Sequence, residues 1–121
     1  PHGLTQAGHH STALDLARIA AYAMNIPMFR DMVGFDFYTV PYENKPRETV
    51  RTTNLLIRNK YEGINGVKTG YTNAAGDCLI ASATRNGRTV IAVFLNDDDR
   101  WTDAPKFLDY GFSVLSAEGH D

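Results

Sequence analysis

The sequence predicts a mixed α/β domain in an α+β arrangement, an antiparallel sheet with helices before and after it. Three observations carry this. Asn86-Gly87 sits between two apolar runs, the strongest short-range hairpin signal. Upstream, Leu16, Ile19, Ala20 and Ala23 recur at i, i+3, i+4 and i+7, one apolar helix face. Downstream, Asp97-Asp98-Asp99 gives an acidic helix start, and Trp101, Phe107, Leu108 and Phe112 supply a core-facing stripe.

Each element follows in order. Residues 1–10 are a turn-rich opening. Ser11 or Thr12 caps a helix over about residues 12–25, with Asp15 placed as in a capping box. Pro27 opens a second short helix carrying Met28, Phe29, Met32 and Val33, which Gly34 stops. Residues 35–42 are aromatic and β-branched and read as a strand or extended segment, weakened by Pro41. Residues 43–51 are polar and read as a surface loop or edge strand. Residues 53–59 fit a short helix or a strand equally, and residues 61–66 a turn. Three consecutive strands are expected over residues 66–72, 78–85 and 88–95, with the last covered on both faces. In the closing helix, Pro105 must fall in the first turn or kink it.

Composition narrows the function. The chain has 121 residues, 43% hydrophobic and 21% charged, a globular balance for one small domain or part of a larger one. A net charge of −2 gives no basic excess for nucleic acid or acidic lipid. No apolar run reaches the roughly 18 residues that span a bilayer. The single cysteine, Cys78, excludes an internal disulfide and a Cys-based zinc cluster; it is expected to be a buried small apolar residue. His2, His9, His10 and His120 match no zinc spacing, so no metal or other cofactor is expected. The chain starts at Pro1 and reads as processed, excised or truncated.

Lys68-Thr69-Gly70 is the most specific local signal. An ammonium, a hydroxyl donor and a residue without a side chain suit anion binding along a strand. The tripeptide alone is weak, because short motifs recur by chance and an exposed strand with a solvated lysine reads the same way.

The surrounding stretches add specificity. They are PHGL at the start, GHHSTALDLARIA, NLL, GVKTGYTNAAGDCLIASATRNGRTVIAVFLN, and Arg100 with LDYGF. In this order and spacing, from Pro1 to about Phe112, the chain resembles the low-molecular-weight penicillin-binding proteins, the serine-type D-alanyl-D-alanine carboxypeptidases. The resemblance implies a serine β-lactamase/transpeptidase-like fold, in which Lys-Thr-Gly is one of three active-site motifs.

Another motif of that superfamily, Ser-x-x-Lys, carries the acylated serine. Ser11, Ser82, Ser113 and Ser116 fit neither it nor the Ser-x-Asn-type motif. In the family both precede the PHGL stretch. The expectation is therefore that residues 1–121 form the C-terminal half of a penicillin-binding domain, lacking its N-terminal half.

The resemblance assigns roles residue by residue. Lys68 holds substrate and shapes the electrostatics of proton transfer. Thr69 binds the terminal carboxylate of D-Ala-D-Ala or of a β-lactam, and Gly70 allows close approach. The backbone N–H of Tyr71 supplies half of an oxyanion hole. Arg100, eleven positions before Gly111, lies near the substrate carboxylate. The bland alternative for Arg100 is a helix-surface residue paired with Asp99 or Asp103.

The implied activity is removal of the terminal D-Ala from peptidoglycan pentapeptide stems through a serine ester, on the extracytoplasmic side of a bacterium, with β-lactams acylating the same serine. The 121-residue chain alone is expected to be inert. A non-catalytic cell-wall or protein-binding module on the same scaffold is the alternative of a different class, and a β-lactamase or endopeptidase relative the alternative within enzymes. Apolar surface that would face the missing half makes a swapped or dimeric assembly an expectation.

Overall fold

In the computed structural model residues 4–118 are described; Pro1, His2 and Gly3 of the opening motif, and His120, lie outside the described residues. Helix α1 spans Ala13–Ala23 and α2 Pro27–Gly34. Strands β1 (Phe37–Val40) and β2 (Glu48–Arg51) follow, then the short helix α3 (Leu55–Arg58), strands β3 (Ile64–Thr72), β4 (Gly76–Arg85) and β5 (Arg88–Phe94), and helix α4 (Arg100–Ala117).

The sheet β3-β4-β5 is antiparallel throughout. Arg85 pairs with Arg88 across the Asn86-Gly87 turn, where both turn residues have positive φ, as a two-residue hairpin requires. The second turn brings Thr72 opposite Gly76. β1 and β2 form a separate hairpin, joined by a hydroxyl pair between Thr39 and Thr49 at 2.9 Å.

Helices cover both faces of the three-stranded sheet. On one face Leu79, Ala81 and Ala83 of β4 and Phe94 of β5 pack with Ala104 and Leu108 of α4 and Leu56 of α3. On the other, α1 lies over β4 and β5 and α2 over β3. Val33 and Met24 there sit directly against Gly66 of β3, so that a side chain at Gly66 would meet them. The expected cover on both faces of β5 is present.

Several expectations shift. Thr12, not Ser11, caps α1, its Oγ1 accepting the Asp15 N–H at 3.1 Å. The periodicity of α1 placed Ile19 inward, yet it is 62% exposed; Ala20 and Met24, one turn apart, make the contact instead, because only small or flexible side chains let the helix approach the sheet closely. Residues 53–59 resolve to helix because the Asn54 side chain caps α3, accepting the Leu56 N–H at 2.9 Å. β3 begins two residues earlier than expected, and β4 begins at Gly76 rather than Cys78. Pro105 falls beyond the first turn of α4, inside the helix, leaving the Trp101 carbonyl without its usual i+4 donor. Phe107 leaves the predicted stripe and is largely exposed, touching Phe94 edge to face at 5.5 Å; Ala104 takes the core position. Among the described residues no helix is long and apolar enough to cross a membrane.

Candidate active site

β3 pairs only with β4 and is an edge strand among the described residues. Along it Lys68 is exposed, Thr69 half-buried, and Gly70 and Tyr71 exposed. Strand geometry sends successive side chains to opposite faces, which sets Lys68 and Gly70 on one face and Thr69 and Tyr71 on the other; Tyr71, near the strand end, is exposed all the same. A methyl group built on Gly70 would meet nothing within 4 Å, so the strand is open to close approach at that point. The Lys68 ammonium donates to the carbonyl of Thr69. The Tyr71 hydroxyl donates to Asn73 Oδ1 at 2.9 Å, which turns the phenol along the strand end.

A loop outside the sheet reaches this strand. Thr53 Oγ1 lies 2.5 Å from Thr69 Oγ1. The neighbouring Asn54 is buried, and its Nδ2 donates to the Gly66 carbonyl at 3.4 Å. The start of α3 is thereby tied to β3 at two points flanking Lys68.

Arg100, the first residue of α4, turns back onto the sheet. One guanidinium nitrogen, Nη1, donates to the carbonyls of Gly70 at 3.0 Å and Cys78 at 2.6 Å. Nη2 lies 3.6 Å from Asp77 Oδ1, and the side chain is only 15% exposed. Its recorded carboxylate partner is Asp77 of β4, not Asp99 or Asp103 as in the bland alternative. The structure thus brings Lys68, Thr69, Gly70, Tyr71 and Arg100 to one end of the sheet.

Thr53, Asn54 and Asp77 were missed by sequence reasoning. An Asn before an apolar run is a helix-cap signal, and it marked Asn54 had the segment been read as a helix. Thr53 carried no signal, since its partner is sixteen positions away. Cys78 is half-buried rather than fully buried; it lines a mainly apolar cavity of about 610 Å³ with Thr72, Ala75 and Leu95 at the β3–β4 turn. His10 serves its loop, its Nδ1 lying 3.0 Å from the Gly8 carbonyl.

Comparison with known proteins gives the family and the fold. The profile of the family described as D-alanyl-D-alanine carboxypeptidase matches residues 1–99. The chain belongs to the D-alanyl-D-alanine carboxypeptidase family. It is 36% identical over 120 residues to the D-alanyl-D-alanine carboxypeptidase of Streptomyces sp. strain K15, covering 93% of this chain and 41% of that protein. It is 36% identical over 122 residues to the D-alanyl-D-alanine carboxypeptidase DacF of Bacillus subtilis, covering 93% and 30%. The crystal structure of the Streptomyces K15 DD-transpeptidase superposes with a TM-score of 0.80 at 36% identity, over 89% of this chain and 44% of that one. The chain therefore spans less than half the length of these relatives, and its helix-flanked antiparallel sheet is part of the DD-transpeptidase fold. Lys68, Thr69, Gly70 and Tyr71 lie inside the span matched by the D-alanyl-D-alanine carboxypeptidase family; Arg100 falls one residue beyond it.

Proposed function

We propose that this chain supplies the Lys-Thr-Gly strand of a serine D-alanyl-D-alanine carboxypeptidase acting on peptidoglycan stem peptides outside the bacterial cytoplasm. The observation that carries the reading is the open edge strand. Lys68 and Thr69 are presented beside an unobstructed Gly70, in a chain of this family.

In this reading a substrate lies along β3. The Thr69 hydroxyl donates to its terminal carboxylate, and the Lys68 ammonium, held at the Thr69 carbonyl, adds positive charge at the strand edge. A serine from outside residues 1–121 attacks the carbonyl of the penultimate D-Ala, whose oxygen becomes an oxyanion. The Tyr71 N–H and the nucleophile's own N–H stabilise that charge. The terminal D-Ala leaves with a proton, and water then cleaves the ester. Arg100 acts from behind the strand: it fixes Gly70 and Cys78 by their carbonyls and adds a cation near the carboxylate. β-Lactams acylate the same serine. The apolar surface of α1 and α2 faces either the rest of the domain or a second copy.

Two measurements test this. The full-length protein is expected to release D-Ala from a peptide ending in D-Ala-D-Ala and to be labelled covalently by a fluorescent penicillin. The 121-residue chain alone is expected to remain unlabelled on a denaturing gel. A full-length protein that binds cell wall without labelling or releasing D-Ala would be the non-catalytic module, and label on Ser11, Ser82, Ser113 or Ser116 would overturn the assignment of roles.

A further inference from the structure

We propose that Thr53 is a positioning residue of this site, forming with Thr69 a two-hydroxyl relay that sets the direction of the Thr69 proton. The inference rests on the functional reading above and deepens it, since it bears on why the strand selects a carboxylate.

A threonine hydroxyl has one proton to donate and two lone pairs to accept with. Thr53 Oγ1 and Thr69 Oγ1 are 2.5 Å apart, at the short end of the range for O–H···O bonds, so one of them donates to the other. When Thr69 donates, its only proton faces Thr53, and nothing is left to offer a ligand. When Thr53 donates, the Thr69 proton points elsewhere and can meet an acceptor. A carboxylate has acceptor oxygens only and draws the second arrangement. The chain then runs Thr53 O–H to Thr69 Oγ1, and Thr69 O–H to carboxylate. Each bond polarises the next, so the terminal donation is stronger than that of a lone hydroxyl.

The surroundings hold Thr53 in place for this. On its N-terminal side the Thr52 carbonyl accepts from Arg58 Nε at 2.9 Å, and Thr52 Oγ1 accepts the Asn54 N–H at 3.1 Å. On its C-terminal side Asn54 is buried and joined both to the start of α3 and to the Gly66 carbonyl of β3. Between these anchors the Thr53 side chain is exposed, so the pair sits where a ligand on β3 can reach it. Without the Thr53 hydroxyl, the Thr69 proton rotates among its staggered wells, and the orientation is lost.

The test measures acylation of the full-length protein by benzylpenicillin, and by its methyl ester, which lacks the charged acceptor. The variants are Thr53→Val, Thr53→Ala, Thr53→Ser, Thr69→Val and the Thr53→Val/Thr69→Val double variant. Thr53→Val and Thr53→Ala are each expected to acylate about three- to tenfold more slowly, the loss of one hydrogen bond's worth. Thr53→Ser should restore the rate, and the double variant should be no slower than Thr69→Val alone. Loss should be small on the methyl ester, which a general structural defect would not spare. Wild-type rates for Thr53→Val or Thr53→Ala, or a double variant showing the product of both losses, would overturn the relay alone. Absence of acylation in the wild type would overturn the functional reading and the relay with it.

Discussion

Replacing Thr69 by Val exchanges a hydroxyl for a methyl of nearly the same volume. The residue is half-buried and its partner Thr53 is exposed and can turn to water, so packing changes little. A hydrogen bond to a charged group is worth about 1.5–3 kcal/mol. Thr69→Val in the full-length protein is therefore expected to lose about ten- to hundredfold in kcat/KM on a D-Ala-D-Ala peptide, with little change in melting temperature. A peptide with its terminal carboxylate amidated should react poorly with wild type and lose little more in the variant; equal losses on both peptides would remove Thr69 from carboxylate recognition. Arg100→Ala should behave differently. Its guanidinium is the donor to two backbone carbonyls and lies beside Asp77, so its removal is expected to lower stability as well as activity. The Lys-Thr-Gly signal was legible because its residues are adjacent in sequence. Its supports were less so: Arg100 was named through the family resemblance, but not its hold on the Gly70 and Cys78 carbonyls, and Thr53, sixteen positions from Thr69, acts through a side-chain contact that no local pattern encodes.

Between α3 and α4 a polar clasp closes the core. The Tyr61 hydroxyl donates to Asp109 Oδ1. Arg85 from β4 lies over the Tyr61 ring and 3.7 Å from Asp109. Burial, then the bond to Asp109, push the Tyr61 hydroxyl up to about 12 from an ordinary 10.0, against the opposing pull of Arg85. A folded-state pKa above the unfolded one contributes stability that is whole below pH 10 and is lost as pH rises towards 12. Tyr61→Phe is expected to cost about 1 kcal/mol at neutral pH. The wild-type advantage should shrink between pH 10 and 12, measured as the difference in urea midpoints so that common titrations cancel. A difference independent of pH would show that the clasp does not hold the phenol in its neutral form. This part of the fold also shows where sequence reading stops. Asn86-Gly87 sets its turn by local backbone conformation, so that hairpin was plain. α3 has only four residues, Leu-Leu-Ile-Arg, and both periods fit so short a run; the Asn54 cap and burial of Leu56 decide it. Helical periodicity assigned Ile19 and Phe107 to an apolar face, yet how far that face is covered depends on what packs there.

At the scale of the whole molecule, α1, α2 and the entry to β1 carry many of the exposed large apolar side chains, with others on β2, β3 and α4. Leu14, Ile19 and Tyr22 are exposed on α1, opposite the side where Ala20 and Met24 meet the sheet. Met28 and Met32 are exposed one turn apart on α2, and Phe35 and Phe37 follow where the chain enters β1. Single exposed apolar residues are ordinary, whereas a contiguous group of them marks a surface that is covered in the working state. Among the described residues these side chains remain exposed. The expected behaviour of the 121-residue chain in isolation is self-association: the weight-average mass in sedimentation equilibrium should rise with concentration and fall when Ile19→Lys and Tyr22→Glu are introduced together. Both substitutions lie away from the Leu79–Leu108 core, so the circular dichroism spectrum should be retained. The doubly substituted chain should also remain unlabelled by a fluorescent penicillin, which separates association from chemistry. A chain that stays monomeric at every concentration, with its helices intact, would show that the α1–α2 surface needs no cover, and the proposal that it faces the rest of the domain or a second copy would fall.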